Sequence, residues 1–221
     1  MKVLVSILTS SYTQAQADSC IDTWVKDIKD PHEYIFYGDK LQSLNLINTI
    51  NCSPDSGESR SRLPEKTLKM LRSSLRYDWD FLFKCDDDTY LHFDKLVKYL
   101  KNFDSSHSLY IGNKIFNHGI KYAQGGAGYI LTRSSVIKCI NSLEKFFSNP
   151  KETKIAEDYS VGKALHVEGV ELQACNELVC PSPKNVKIDS TIPAKHIIES
   201  GKISSHYVTP ETMRFIYNTM Q

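Results

Sequence analysis

The sequence predicts an α/β sandwich around a largely parallel sheet, on three observations. Short apolar, β-rich runs alternate with segments of helical spacing from the first residues onward. The runs at residues 3–8 and 81–83 read as buried strands, as expected where helices cover both faces of a sheet. No repeat, low-complexity tract or linker interrupts the alternation, and 221 residues with 41% hydrophobic content suffice for a sizeable core, so one domain over residues 1–221 is expected.

Residues 3–8, broken only by Ser6, form the first strand, and residues 34–37, ending at Gly38, the second. Between them Ile21, Trp24, Val25 and Ile28 recur at helical spacing, which makes the opening a βαβ unit. Residues 42–62 are polar and contain Pro54, Asp55, Ser56 and Gly57, the composition of a long loop. Pro64 suits the first helical position, after which Leu68, Leu71 and Leu75 line one face. The strand Phe81-Leu82-Phe83 runs through Lys84-Cys85 into Asp86-Asp87-Asp88. Leu96, Val97 and Leu100 mark a helix, and residues 109–112 a short strand. After the glycine-rich residues 125–128 come a strand at 129–131 and a helix at 134–143. Asn149-Pro150 breaks the chain before a helix bearing Val161 and Leu165. The final unit is His206-Tyr207-Val208, with Thr209 capping a helix that begins at Pro210. Ligands of such sheets gather beyond the carboxyl ends of the strands, where the chemistry is therefore expected.

Composition narrows the partners. Lys and Arg number 27 against 26 Asp and Glu, so no net field attracts polyanions and nucleic acid is not an expected partner. No apolar run approaches the roughly 18 residues of a membrane span. Met1-Lys2 leads straight into the first strand without the features of a signal peptide, which makes the cytoplasm the expected compartment. The six cysteines, at 20, 52, 85, 139, 175 and 180, lack the spacing of zinc ligands or a redox pair, and free thiols are expected. Asn51-Cys52-Ser53 fits the glycosylation pattern in form, but Pro54 follows it and the site is discounted.

Three carboxylates directly after a buried strand raise one another's pKa unless a cation neutralises them, and a metal is the simplest remedy. If the alternation of the strand persists, Asp86 and Asp88 share one face and Asp87 points to the other. Hard oxygens suit Mg²⁺ or Mn²⁺. An EF-hand is excluded, because Tyr90 stands where the third oxygen ligand belongs. The bland alternative, a solvated acidic turn, is weakened by the position after an aromatic strand. Gly125-Gly126-Ala127-Gly128 fits a loop that a ligand approaches closely, or a tight turn into the next strand. Glu157-Asp158 opens a helix, where the dipole alone favours acidic residues. Taken singly, His206 reads as a partly buried histidine, and Lys66, with Arg60, Arg62 and Lys69, as a solvated face.

In order, Phe83-Lys84-Cys85-Asp86-Asp87-Asp88-Thr89-Tyr90, Tyr110-Ile111-Gly112, Gly125-Gly126-Ala127-Gly128-Tyr129, Glu157-Asp158 and Ser205-His206-Tyr207-Val208 resemble the Fringe-like β-1,3-glycosyltransferases, especially the core 1 galactosyltransferase branch. Lys66-Thr67 fits the same series, and the resemblance covers about residues 64 to 217. Over the first sixty residues only the opening strand and Asp22-Thr23-Trp24 look similar.

The resemblance implies a GT-A, Rossmann-like single domain that moves a sugar from a UDP-sugar to a hydroxyl of a glycan or glycoconjugate with inversion, galactose being the first candidate. It makes Asp86, Asp87 and Asp88 the metal motif, with Asp88 the direct ligand, Asp86 beside it and His206 a further ligand. A mixed Asp/His set leans towards Mn²⁺ over Mg²⁺. Gly125, Gly126 and Ala127 would line the sugar site and Lys66 would lie near the nucleotide. Thr9 opens a segment that lacks the basic residue expected near the phosphates. Asp158 would be the general base, with Glu157 the fallback. One metal and one base suffice for this reaction. Animal members carry an N-terminal membrane anchor and stem for the Golgi lumen, so the chain reads as a cytoplasmic enzyme or as an excised lumenal domain. Two competing readings are a metal-dependent phosphohydrolase and a glycan-binding module or inactive transferase.

Overall fold

The predicted alternation is present in the computed structural model, which describes residues 1–44, 46–52, 62–148, 156–180 and 194–220. The chain runs β1 (Val3–Ser10), α1 (Gln14–Asp22), a 3₁₀ turn (Trp24–Asp27), β2 (Glu33–Asp39), β3 (Thr49–Asn51) and α2 (Leu63–Ser74). There follow β4 (Phe81–Asp86), β5 (Tyr90–Leu91), α3 (Phe93–Leu100), β6 (Tyr110–Gly112), β7 (Lys114–Asn117), β8 (Ile120–Ala123), β9 (Tyr129–Thr132) and α4 (Arg133–Phe147). The last elements are α5 (Glu157–Val167), β10 (Leu172–Ala174), β11 (Leu178–Val179), α6 (Ala194–Glu199), β12 (Ser204–Ser205) and α7 (Pro210–Met220). Asn149-Pro150, Ser53 to Gly57 and Arg60 lie outside the described residues.

The central sheet has seven strands in the order β10-β6-β9-β4-β1-β2-β3. Its pairings are parallel except those of β9, which runs antiparallel to both β4 and β6. Strand alternation divides the core in two. Val3, Val5, Ile7, Phe81, Phe83 and Cys85 face α1, α3 and α7. Leu4, Leu82, Leu131 and Tyr129 face α2, α4 and α5. Both faces are covered, which is why these strands read as near-continuous apolar runs.

Four local features go beyond or differ from the sequence reading, each for a physical reason. The first helix stops at Asp22, because the Thr23 hydroxyl donates to the Ser19 carbonyl (2.6 Å) and leaves the helical conformation, so Trp24 and Val25 enter the core from a 3₁₀ turn. β2 continues through Gly38 to Asp39: a Cβ at Gly38 would lie 1.9 Å from the Thr9 carbonyl oxygen, so the glycine permits close approach to β1 rather than ending the strand. β7 and β8 form a hairpin turned by His118 (φ 47°) and Gly119 (φ 80°), both left-handed as a two-residue hairpin loop of the primed type requires. The strand near the C-terminus is Ser204–Ser205, directly before His206-Tyr207-Val208; it joins a small sheet β11-β12-β5, and Tyr207 (φ 63°) turns the chain immediately after His206. All six cysteines are free thiols, five of them buried. Among the described residues, no helix is long and apolar enough to cross a membrane.

Candidate metal and carboxylate site

The carboxyl end of β4 sets the position of the three aspartates. Asp87 continues the ladder by donating its backbone N–H to the Leu8 carbonyl (3.0 Å), and Thr89 closes the turn on the Asp86 carbonyl (3.2 Å). Asp87 points away from its neighbours, and its carboxylate accepts the Thr9 hydroxyl (2.7 Å). Burial pushes the Asp87 carboxyl up to about 7, against the hydroxyls of Thr13 and Thr9 that favour its charged form. Asp86 and Asp88 meet the His206 ring: Nε2 lies 2.9 Å from Asp88 Oδ1 and 3.8 Å from Asp86 Oδ2. One ligand atom from each of the three residues lies within 4.8 Å of the others. Burial by itself would discharge the imidazole, but hydrogen bonds to Asp88 and Cys180 and the charges of Asp88 and Asp86 push it up to about 10. The two carboxylates thus draw a positive charge between them, and this oxygen and imidazole set fits a divalent ion such as Mn²⁺.

A second cluster lies directly behind. Lys84 is 1% exposed in the sheet, opposite Ser6 on β1 and Tyr129 on β9. Its Nζ meets Asp86 Oδ1 at 2.7 Å, Glu157 Oε2 at 3.4 Å and the Gly125 carbonyl at 3.3 Å. Burial opposes charge on this lysine, but Asp86 and Glu157 outweigh it and hold the ammonium protonated. Glu157 is buried too and accepts the Tyr129 hydroxyl (2.6 Å). Burial raises its pKa, while Lys84 acts in the opposite direction. Asp158, the next residue on α5, is half-buried, and its oxygens accept the backbone N–H groups of Tyr159 (2.8 Å) and Gly125 (3.3 Å). Glu157 therefore faces the protein interior, while Asp158 caps the loop between it and the aspartates.

The glycines of that loop make room for the site's own side chains. A Cβ on Gly126 would lie 2.0–2.4 Å from three atoms of the His206 ring, and one on Gly125 would lie 2.9 Å from Glu157 Oε2. Gly128 has φ 95°, and a Cβ there would meet the Phe83 ring at 2.3 Å. Ala127 is buried, its carbonyl accepting the Ser204 hydroxyl (2.5 Å). Gly126→Ala should displace His206 at an overpacking cost of about 1–3 kcal/mol, measured by denaturant unfolding, and should weaken Mn²⁺ binding. A variant with unchanged stability and Mn²⁺ affinity would refute this packing argument.

Lys66 is not on a solvated face. It is 7% exposed, and its Nζ lies 2.5 Å from Asp39 Oδ2 at the end of β2, where Asp39 is fully buried. Arg62 pairs with Glu65, and Lys69 donates to the Cys52 carbonyl (2.9 Å). The structure thus brings Asp86, Asp88, His206, Gly125, Gly126, Glu157 and Asp158 into one contiguous site. Thr9 and Asp87 are buried and bonded to each other, and Lys66 is engaged with Asp39. Lys84, Tyr129 and Asp39 were not singled out by the sequence reading. A lysine inside an apolar strand and an aspartate directly after one were the available signals.

The family model described as Fringe-like matches residues 1–180. The chain is 32% identical over 120 residues to glycoprotein-N-acetylgalactosamine 3-beta-galactosyltransferase 1 of Xenopus laevis, covering 52% of this chain and 32% of that protein. It is 26% identical over 191 residues to the beta-1,3-N-acetylglucosaminyltransferase lunatic fringe of Gallus gallus, covering 76% and 52%. The chain thus spans about half, or less, of the length of these relatives. Among solved structures, a glycosyltransferase involved in glycosylation of the major capsid of PBCV-1 superposes with TM-score 0.61 at 10% identity, over 98% of each chain. The galactosyltransferase LgtC, in complex with donor and acceptor sugar analogs, gives TM-score 0.58 at 13% identity over 99% of this chain and 96% of its own. These likenesses show the fold, the GT-A α/β sandwich.

Proposed function

The chain belongs to the Fringe-like family, and from that premise we propose that it is a metal-dependent, inverting glycosyltransferase. It would move a sugar, galactose being the first candidate, from a UDP-sugar to a hydroxyl of a glycan or glycoconjugate. One observation carries the reading: the Asp86, Asp88 and His206 donors stand at the carboxyl ends of the strands, across the Gly125-Gly126 loop from Asp158. Asp88, His206 and Asp86 would hold Mn²⁺, which, when bound, offsets the charge building on the departing diphosphate. The leaving group then needs no protonating acid, and the protein must supply only a base.

Asp158 takes that role in preference to Glu157. Glu157 is committed to Lys84 and Tyr129 inside the protein, whereas Asp158 is half-buried at the loop and held in place by two backbone amides. Its carboxylate is positioned to receive the acceptor hydroxyl's proton as that oxygen attacks. Gly125 and Gly126 let the loop pack directly against Asp158 and His206, which brings the base and the metal residues to its two sides.

The test is thermal denaturation with UDP, GDP and ADP, each with and without Mn²⁺, because a ligand of the folded state raises the melting temperature. Stabilisation by UDP with Mn²⁺ alone is expected. Stabilisation by every nucleotide alike favours a phosphohydrolase, and none at all favours a glycan-binding module; either overturns the proposal. Asp88→Asn should weaken the Mn²⁺-dependent affinity for UDP at least about tenfold. Equal affinity in the two proteins would remove Asp88 from the metal site.

A further inference from the structure

We infer that Cys180 is a positioning residue for His206, accepting the proton on Nδ1 so that the Nε2 lone pair is presented between Asp86 and Asp88. The inference rests on the metal reading proposed above. An imidazole that ligates through Nε2 must be neutral and carry its hydrogen on Nδ1, and the partner of that second nitrogen fixes both tautomer and ring orientation. Here Nε2 faces Asp88 (2.9 Å), and Nδ1 lies 3.5 Å from Cys180 Sγ. A protein sulfur accepts at this range more weakly than an oxygen.

The placement is built into the backbone. β11 pairs in parallel with β12, Leu178 opposite Ser204 and Val179 opposite Ser205. One step further, the His206 N–H donates to the Val179 carbonyl (3.0 Å), which sets Cys180 beside His206. The ring has little room to turn away. Tyr207 stacks on it with centroids 3.8 Å apart and planes at 25°, and the Gly126 backbone leaves no space for a methyl group against it. What remains is the half-turn about Cβ–Cγ that exchanges Nδ1 with Cδ2 and Nε2 with Cε1, and Cys180 selects the setting in which Nδ1 faces it and Nε2 faces Asp88. Cys180 is also the one cysteine that is not buried: it packs at the margin of the core, with its sulfur at the His206 ring.

The experiment uses Mn²⁺ alone, with the free ion followed by electron paramagnetic resonance, on the wild-type chain, Cys180→Ala, Cys180→Ser and His206→Ala. Cys180→Ala should bind Mn²⁺ about 10–100-fold more weakly than wild type, and Cys180→Ser, which keeps an acceptor, should recover most of that loss. In ¹⁵N-histidine-labelled protein with Mg²⁺, the ring signal that disappears in His206→Ala should show the Nδ1–H tautomer in wild type and Cys180→Ser, and a mixture in Cys180→Ala. Wild-type affinity together with an unchanged tautomer in Cys180→Ala overturns the inference and leaves the metal reading standing. Equal Mn²⁺ binding by wild type and His206→Ala overturns the metal role of His206, and this inference with it.

Discussion

Asp158→Asn should lower turnover by about 10²–10⁴-fold while Mn²⁺-dependent UDP binding stays near the wild-type value. Asparagine keeps the shape of the side chain and can still accept the Tyr159 N–H, so the start of α5 should hold. The proton acceptor is lost, and with it the 3.3 Å bond from the Gly125 N–H, which the amide nitrogen cannot accept. The effect belongs in kcat and in kcat/KM together, since the missing interaction is made in the transition state and not with bound donor. Glu157→Gln gives the contrast. Its carboxylate faces Lys84 and Tyr129, so its replacement should appear chiefly as lost stability. Turnover within tenfold of wild type for Asp158→Asn, measured with a UDP-sugar that the wild type uses, would remove the base assignment.

The contrast between these adjacent carboxylates also marks where the sequence stops being informative. Strand alternation and the ends of apolar runs are local, and they were enough to place Asp86 and Asp88 together at a strand end and Asp87 apart from them. Which member of Glu157-Asp158 is committed depends on Tyr129 and Lys84, which lie 28 and 73 positions from Glu157 along the chain. Lys84 was read only as part of the run from the strand into the aspartates, and its partners emerge once the register sets it between Ser6 and Tyr129. Gly38 was read as the end of a strand, which concealed Asp39 and with it the partner of Lys66. The loop glycines left two readings open, a ligand contact or a turn, and the neighbours that demand them, His206 and Glu157, come from distant segments. Local chemistry was legible; its commitments to buried partners were set by sheet register and tertiary packing.

Lys84→Met should cost about 3–5 kcal/mol of folding stability, because removing one partner of a buried ion pair leaves the others uncompensated. Methionine fills the lysine's volume and suits irregular core space, so the loss is electrostatic and not a cavity. Glu157 is then left as a buried carboxylate with the Tyr129 hydroxyl as its hydrogen-bond donor among the described residues, and Asp86 loses its ammonium partner on Oδ1. Denaturant unfolding measures the loss. At this chain length each kcal/mol corresponds to roughly 2–4 °C in Tm. Glu157→Gln in the same chain should restore part of the stability, since a neutral amide removes the stranded charge, and the non-additivity of the pair reports their coupling. A loss below 1 kcal/mol in the single variant would mean that water screens Lys84 despite its burial. The same variant separates scaffold from chemistry: with Lys84 absent, Asp86 loses its 2.7 Å partner on Oδ1, so Mn²⁺ affinity should fall even under conditions where the variant is fully folded.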